Sequence, residues 1–216
     1  MGRYNSSQKR AILEAAIAVF AANGLEGATI RLVGRKAGVN SALIYYYFEN
    51  KRNLFEEAIR MVMGDFLLMF EKHKKAFATA GERIAFLVNG IFDYYETRPG
   101  RMRLMIMVFN LYPQLLIDII LELVRDKEIP PLLILQDGII RKQLKPFAPI
   151  QLWWNILGMC IFTLKAQQIA AQLAGKQIPW SLPSFNERKK QIIELLLSGA
   201  AYHNRQLSGK KQEREL

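Results

Sequence analysis

Apolar residues recur at helical spacing along most of the chain, and glycine-, proline- or polar-rich breaks divide them into segments. Ile12, Ala15, Ala16, Val19 and Phe20 share one face of a first helix, with Ser6 or Ser7 as its cap and Asn23-Gly24 as its end. Thr29 caps a short helix over 30–37, Gly38 stops it, and Asn40 caps a third helix over 41–47. After the turn Phe48-Glu49-Asn50, a long amphipathic helix is predicted over 51–76. Breaks at Ala80-Gly81, Pro99-Gly100, Pro113 and Pro130-Pro131 separate helices predicted over 82–97, 102–111, 114–127 and 131–144. A long helix after Pro149 runs to about Leu173, a loop covers 175–183, and a final helix covers 186–198. The chain shows no β alternation and no internal repeat. The expectation is an all-α protein: an N-terminal three-helix domain over 1–52, a larger helical domain over 53–204 and a flexible polar tail over 205–216.

The short second and third helices have the physics of a helix-turn-helix. Leu32, Val33 and Ala37 give the first of the pair an inward face, and Val39 plugs the angle between the two. Gly34, lacking a side chain, permits a close crossing at a cost of about 1 kcal/mol in helix propensity. Ile44 and Phe48, four apart, anchor the second of the pair. That leaves Ser41, Ala42, Leu43, Tyr45, Tyr46 and Tyr47 near or on the outer side. Three consecutive tyrosines on a short helix cannot all face a core. A phenol can bond a phosphate oxygen and lay its ring on sugar or a thymine methyl.

Charge strengthens that reading. The formal net charge is +11, and residues 1–54 carry eight lysines and arginines against three glutamates. A basic segment that coincides with the motif points to a polyanion. Hydrophobic residues make up 51% of the chain and charged ones 23%, which supports a sizeable core and argues against general disorder. Met1–Arg10 is polar and does not read as a signal peptide, and the near-uncharged stretch 148–164 is too short for a bilayer span. A lone cysteine, Cys160 in an apolar run, reads as a core residue in a reducing compartment. The expected location is the cytoplasm.

Residues 12–54 resemble the TetR family of transcriptional regulators. The resemblance rests on AA..F...G, then T.R.....AGV, then the Tyr-Tyr-aromatic-Phe-x-x-Lys-x-x-Leu run. It implies that Thr29 and Arg31 touch the DNA backbone. It places Ser41, Ala42 and Leu43 where base edges are met, Tyr45, Tyr46, Tyr47 and Lys51 against phosphates, and Asn40 among the DNA-binding residues. Lys51 also stands at a helix start, whose dipole attracts phosphate. The family often has Ala at Gly34, so the motif here is expected to be slightly looser, and often His at Tyr47, which keeps a donor. The resemblance further implies a homodimer and a double-stranded operator.

Beyond residue 54 the resemblance is one of architecture: a helical effector-binding and dimerisation domain. Met61, Phe66, Phe70, Phe92, Tyr95, Met102, Met105 and Phe109 are candidates to line a cavity for a hydrophobic or amphipathic effector, or else simply fill core. Leu152, Ile156, Met159, Thr163, Ile192, Leu195 and Leu196 give the last two long helices apolar faces suited to a four-helix dimer bundle, or to core. His73 and His203 lack partners at metal spacing, and no nucleophile–base pattern, phosphate loop or dinucleotide fingerprint occurs, so neither metal, cofactor nor catalysis is expected. The rival readings are a helical enzyme or carrier of apolar molecules and a protein lying on anionic lipid. Salt-sensitive binding to duplex DNA separates the three.

Overall fold

The structure is a computed structural model that describes residues 2–71, 77–125, 128–173 and 184–201. Its described residues form ten helices: α1 (Gly2–Gly27), α2 (Ile30–Ala37), α3 (Ser41–Phe48), α4 (Lys51–Glu71), α5 (Ala80–Thr97), α6 (Pro99–Leu111), α7 (Pro113–Leu123), α8 (Pro130–Ile140), α9 (Pro149–Leu173) and α10 (Phe185–Ala200). Among the described residues, strand-like pairing is limited to one isolated bridge between Leu144 and Ala201. The all-α expectation therefore holds. The loop over 175–183, the tail over 205–216, both histidines and any continuation of α4 past Glu71 lie outside the described residues.

Helix boundaries differ from expectation where prolines and caps act. Prolines 99, 113, 130 and 149 do not only break the chain. Each is the first residue of α6, α7, α8 or α9, where a missing N–H costs nothing and φ is already helical. Thr79 opens α5 earlier than predicted: its hydroxyl accepts from Glu82 N at 3.1 Å. Ser184 and Glu187 form a reciprocal capping box at α10. In α1 the helix passes through Gly24, whose φ of 69° and ψ of −179° are open to glycine alone, so the chain bends there instead of ending.

The chain divides into two compact units, Met1–His73 with Gly90–Pro130, and Lys74–Asn89 with Pro131–Leu216. The expected boundary at 52/53 does not mark a gap in packing. Leu104 and Val108 of α6 and Ile119 of α7 lie in the same buried cluster as Ile12, Phe20, Ile44, Phe48 and Phe55. Within this first unit Phe66 contacts Phe70 and Tyr94, each with ring centroids 5.3 Å apart. In the second unit the central feature is Arg83, 1% exposed. Its guanidinium donates to Ile134 O at 2.5 Å, Asp137 Oδ2 at 2.9 Å and Gln143 Oε1, over the ring of Phe77. A Cβ on Gly138 would lie 2.7 Å from Arg83 Cδ, so a side chain there would force the buried arginine to shift. Among the described residues, no single helix is long and apolar enough to cross a membrane.

Candidate nucleic-acid interface

Both short helices are built by local rules. Thr29 is extended and its hydroxyl accepts from Leu32 N at 3.1 Å, opening α2. Gly38, with φ 67° and ψ 31°, closes α2 in the left-handed conformation, and Val39 N donates to Gly34 O. Asn40 Oδ1 accepts from Leu43 N at 2.9 Å, opening α3. Ile44 and Phe48 are buried and root α3 in the core, as does Val33 for α2. A Cβ on Gly34 would come within 2.8 Å of the Val39 carbonyl. The glycine is thus what brings the turn against α2, and the expected loosening at this position gives way to a tight approach.

What α3 leaves outward is Ala42, Tyr45 and Tyr46, the two phenols 51% and 74% exposed. Ser41 is half-buried. Tyr47 is half-buried too, its ring edge-on to Tyr46 and its hydroxyl donating to Gln8 Oε1 at 3.5 Å. Arg31 on α2 is exposed, beside the exposed Thr29. The two short helices thus expose phenols on α3 and the basic side chains Arg31, Arg35 and Lys36 on α2. Such a surface meets a polyanionic backbone without burying an unpaired charge.

Two expected contacts differ. Leu43 packs half-buried against the core cluster, because the turn of α3 that exposes Ala42 and Tyr46 carries its neighbour inward. Lys51 does not extend into solvent: its ammonium donates to the carbonyls of Leu25 and Ala28. Between α3 and α4 the turn expected at Phe48-Glu49-Asn50 is present and of a rare kind. Glu49 has φ 59° and ψ −48°, and Asn50 N donates to Phe48 O, a γ-turn of the strained hand. Asn50 Oδ1 then accepts from Asn53 N at 2.8 Å and starts α4.

The residues expected to line an effector cavity are divided by the structure. Phe66, Phe70, Phe92 and Met102 are buried, and Met61, Tyr95 and Met105 half-buried. Phe109 is 64% exposed, because the turn of α6 that buries Val108 points its neighbour outward, so it does not line the interior. A cleft of about 310 Å³ opens in the same unit, but it is rimmed by Arg52, Glu56, Arg60, Gln114, Asp118 and Glu122, polar side chains outside the expected set.

The expected dimer residues need correction. Leu152, Ile156, Thr163, Ile192 and Leu196 are buried within the chain itself, because α9 and α10 use these faces against their own neighbours. Thr163 Oγ1 accepts from Arg188 Nε at 3.3 Å across the two helices. Met159 is half-buried, and Leu195 alone of the seven is exposed. The apolar side chains described as outward on these two helices include Trp154 and Phe162, 63% and 71% exposed, with Ile169 and Leu195. Trp154, Phe162 and Ile169 fall eight and seven residues apart on α9, a single stripe with the exposed Gly158 between the first two. Cys160 faces inward, and burial pushes its thiol up to about 12, which leaves almost no thiolate at neutral pH.

Sequence reasoning missed Arg101. It is buried on α6 and its guanidinium forks to two carboxylates, Glu14 on α1 and Asp65 on α4. Beside it the buried Tyr94 hydroxyl donates to Val62 O at 3.2 Å. Burial holds that phenol above its usual range, against the pull of Arg101. The available signal was a pair of arginines, Arg101 and Arg103, at the start of a largely apolar helix.

Comparison with known proteins agrees with this geometry. The family model described as "Bacterial regulatory proteins, tetR family" matches residues 12–58, from within α1 through the first turns of α4. The chain is 33% identical over 82 residues to the fatty acid metabolism regulator protein of Bacillus subtilis, 38% of this chain and 42% of that one. It is likewise 33% identical over 88 residues to the HTH-type transcriptional repressor NicS of Pseudomonas putida, 41% of this chain and 42% of that one. The match thus spans less than half the length of these relatives. A TetR-family regulator from Haemophilus influenzae superposes with a TM-score of 0.71 at 17% identity, over 93% of this chain and 100% of that one. The regulator FadR of Bacillus subtilis, solved with stearoyl-CoA, superposes with a TM-score of 0.65 at 23% identity, over 90% and 99% of the two chains. Capped helices at the right spacing and the matching family model agree over residues 12–58, which are similar to the N-terminal segment of the tetR family of bacterial regulatory proteins, and the solved structures share the fold over most of the chain.

Proposed function

We propose that this protein is a homodimeric DNA-binding transcriptional regulator, a repressor that leaves a palindromic operator when a hydrophobic small molecule binds. The observation that carries the reading is the outward face of α3: two tyrosines stand exposed on a helix that Ile44 and Phe48 root in the core. Exposed phenols in that setting suit phosphate and thymine contacts. Ser41 and Ala42 are the side chains offered to bases, while Thr29, Arg31, Tyr45 and Tyr46 meet phosphate. With few hydrogen-bonding groups on that face, selectivity leans on thymine methyls and DNA shape.

A single eight-residue helix reads few bases, and two-fold symmetry doubles the reading. The stripe of Trp154, Phe162 and Ile169 with Leu195 supplies an apolar surface for a second copy, in place of the buried residues expected from sequence. The effector reading draws on the buried aromatic and methionine side chains of α4, α5 and α6. It also draws on the likeness to a fatty acid metabolism regulator and to a FadR that holds stearoyl-CoA. A long-chain acyl thioester is therefore the first effector to test. Because Phe66, Phe70 and Tyr94 are in ring contact, such a ligand has to open this cluster and bind the DNA-incompetent form more tightly. A tenfold loss of operator affinity requires about 1.4 kcal/mol of coupling.

Selection of bound sequences from random duplex DNA, with and without stearoyl-CoA, tests the proposal. The expected result is an enriched palindrome whose binding weakens steeply with salt and with the thioester, and Tyr45→Phe is expected to weaken binding to all duplexes alike. Turnover of an acyl thioester, or binding to anionic vesicles but not to duplex DNA, refutes it.

A further inference from the structure

Lys51 is the first residue of α4, a position that the family resemblance assigns to a phosphate. Its geometry points elsewhere. The ammonium donates to Leu25 O at 2.9 Å and to Ala28 O at 3.2 Å, with the side chain half-buried. Leu25 lies in the last turn of α1, past the Gly24 bend, and its carbonyl belongs to the set a helix end leaves without an internal partner. Ala28 is buried, and it directly precedes Thr29, the cap of α2. A lysine is an apt answer to carbonyls at a helix end, where three donors and a positive charge meet the negative pole of the dipole. The same charge sits at the unfavourable pole of α4, so these two carbonyls, and not its own helix, account for its placement.

We propose that Lys51 is a positioning residue for DNA binding: it ties the start of α4 to the junction of α1 and α2 and so sets the place from which Thr29 and Arg31 are presented. This rests on the DNA-binding reading above. The opposite end of α1 is fastened to α3 and α4 by other means. Lys9 Nζ lies 5.4 Å over the Phe48 ring and 3.7 Å from Glu57, and Tyr47 reaches Gln8. Near the N-terminal end of α1 the tie is to the end of α3. At its C-terminal end the tie is Lys51 alone among the side-chain hydrogen bonds described for this junction. A tilt at the start of α4 is therefore passed directly to the cap of α2.

The two roles for Lys51 separate by salt. A phosphate contact contributes about 0.9 to the slope of log K against log salt, whereas a bond to carbonyls contributes nothing to it. The experiment uses the full-length protein, the duplex enriched from random sequence and a scrambled duplex of equal length. Affinities are measured across salt, well below the melting temperature, for wild type, Lys51→Met and Lys51→Arg. Amide exchange over 29–33 is read alongside. Lys51→Met is expected to lose about tenfold in the ratio of enriched to scrambled affinity, keep the wild-type slope and speed exchange at the start of α2. Lys51→Arg, which keeps donors for both carbonyls, is expected to restore most of the ratio. A slope reduced by about 0.9 with an unchanged ratio makes Lys51 a phosphate contact and overturns the proposal, as does a methionine variant identical to wild type. A wild-type protein that does not bind the enriched duplex in a salt-dependent way instead brings down the DNA-binding reading itself.

Discussion

The guanidinium of Arg101 on α6 donates to the carboxylate of Glu14 on α1, 87 positions earlier in the chain, and with its other nitrogen to Asp65 on α4. Three helices of the first unit thus meet at one buried cation. Glu14 and Asp65 are partly exposed, so removal of the arginine leaves carboxylates that water can reach. Arg101→Met is accordingly expected to cost about 2 kcal/mol, the range of hydrogen bonds to charged groups, and not the larger penalty of a stranded buried ion. Arg101→Lys should recover little, since a single ammonium cannot fork to both carboxylates. Urea denaturation of the three proteins checks this. A lysine variant as stable as wild type would show that charge alone, without the fork, accounts for the site.

Gly34→Ala sets two opposing effects against each other. Helix propensity favours alanine by about 1 kcal/mol, while overpacking typically costs about 1–3 kcal/mol. The added Cβ would meet the Val39 carbonyl, a backbone atom, at 2.8 Å and Ile44 Cδ1 at 3.6 Å. Backbone has to shift for it, so the balance is expected to be destabilising, with weaker DNA binding because the turn moves α3. The melting temperature and duplex affinity of the alanine variant are the readouts.

Phe162→Glu and Leu196→Asp distinguish a dimer surface from core. Phe162 is exposed, so its substitution should leave the folded chain within about 0.5 kcal/mol while converting a dimer to monomers with weak duplex binding. Leu196 is 6% exposed, and a carboxylate there should cost about 3 kcal/mol or more and compromise the fold. Sedimentation velocity with circular dichroism separates the outcomes. A folded, dimeric Phe162→Glu protein would remove this face from the interface.

Stability is expected to fall in acid through Asp137. Burial works against its charge, but hydrogen bonds from Arg141 and Arg83 outweigh that and hold the carboxyl below its usual range. A carboxyl lowered in the folded state contributes its full stabilisation above the unfolded value, near about 4, and loses it as pH falls through the folded value. The melting temperature of wild type should therefore drop below about pH 4 more steeply than that of Asp137→Asn, which has no charge to lose.

Local signals made the first third of the chain legible. Thr29, Gly38 and Asn40 act within four residues of themselves, and the helices they bound appear where the sequence put them, α3 ending one residue later than predicted. The same locality explains the all-α class and the position of most breaks. What lay beyond reach was direction. α9 carries apolar residues on more than one face, so periodicity could not tell that Leu152 and Ile156 turn inward while Trp154 and Phe162 turn outward. That choice belongs to the elements packed against it. Lys51 likewise reads as a free cation at a helix start until the end of α1, 23 to 26 positions earlier, brings two carbonyls to its ammonium. Arg101 has no meaning in its own helix and acquires one only where α1 and α4 converge on it. Caps and turns are decided by neighbours along the chain, and buried charges and interface faces by neighbours across it, because desolvation leaves a polar group only the partners that tertiary packing delivers.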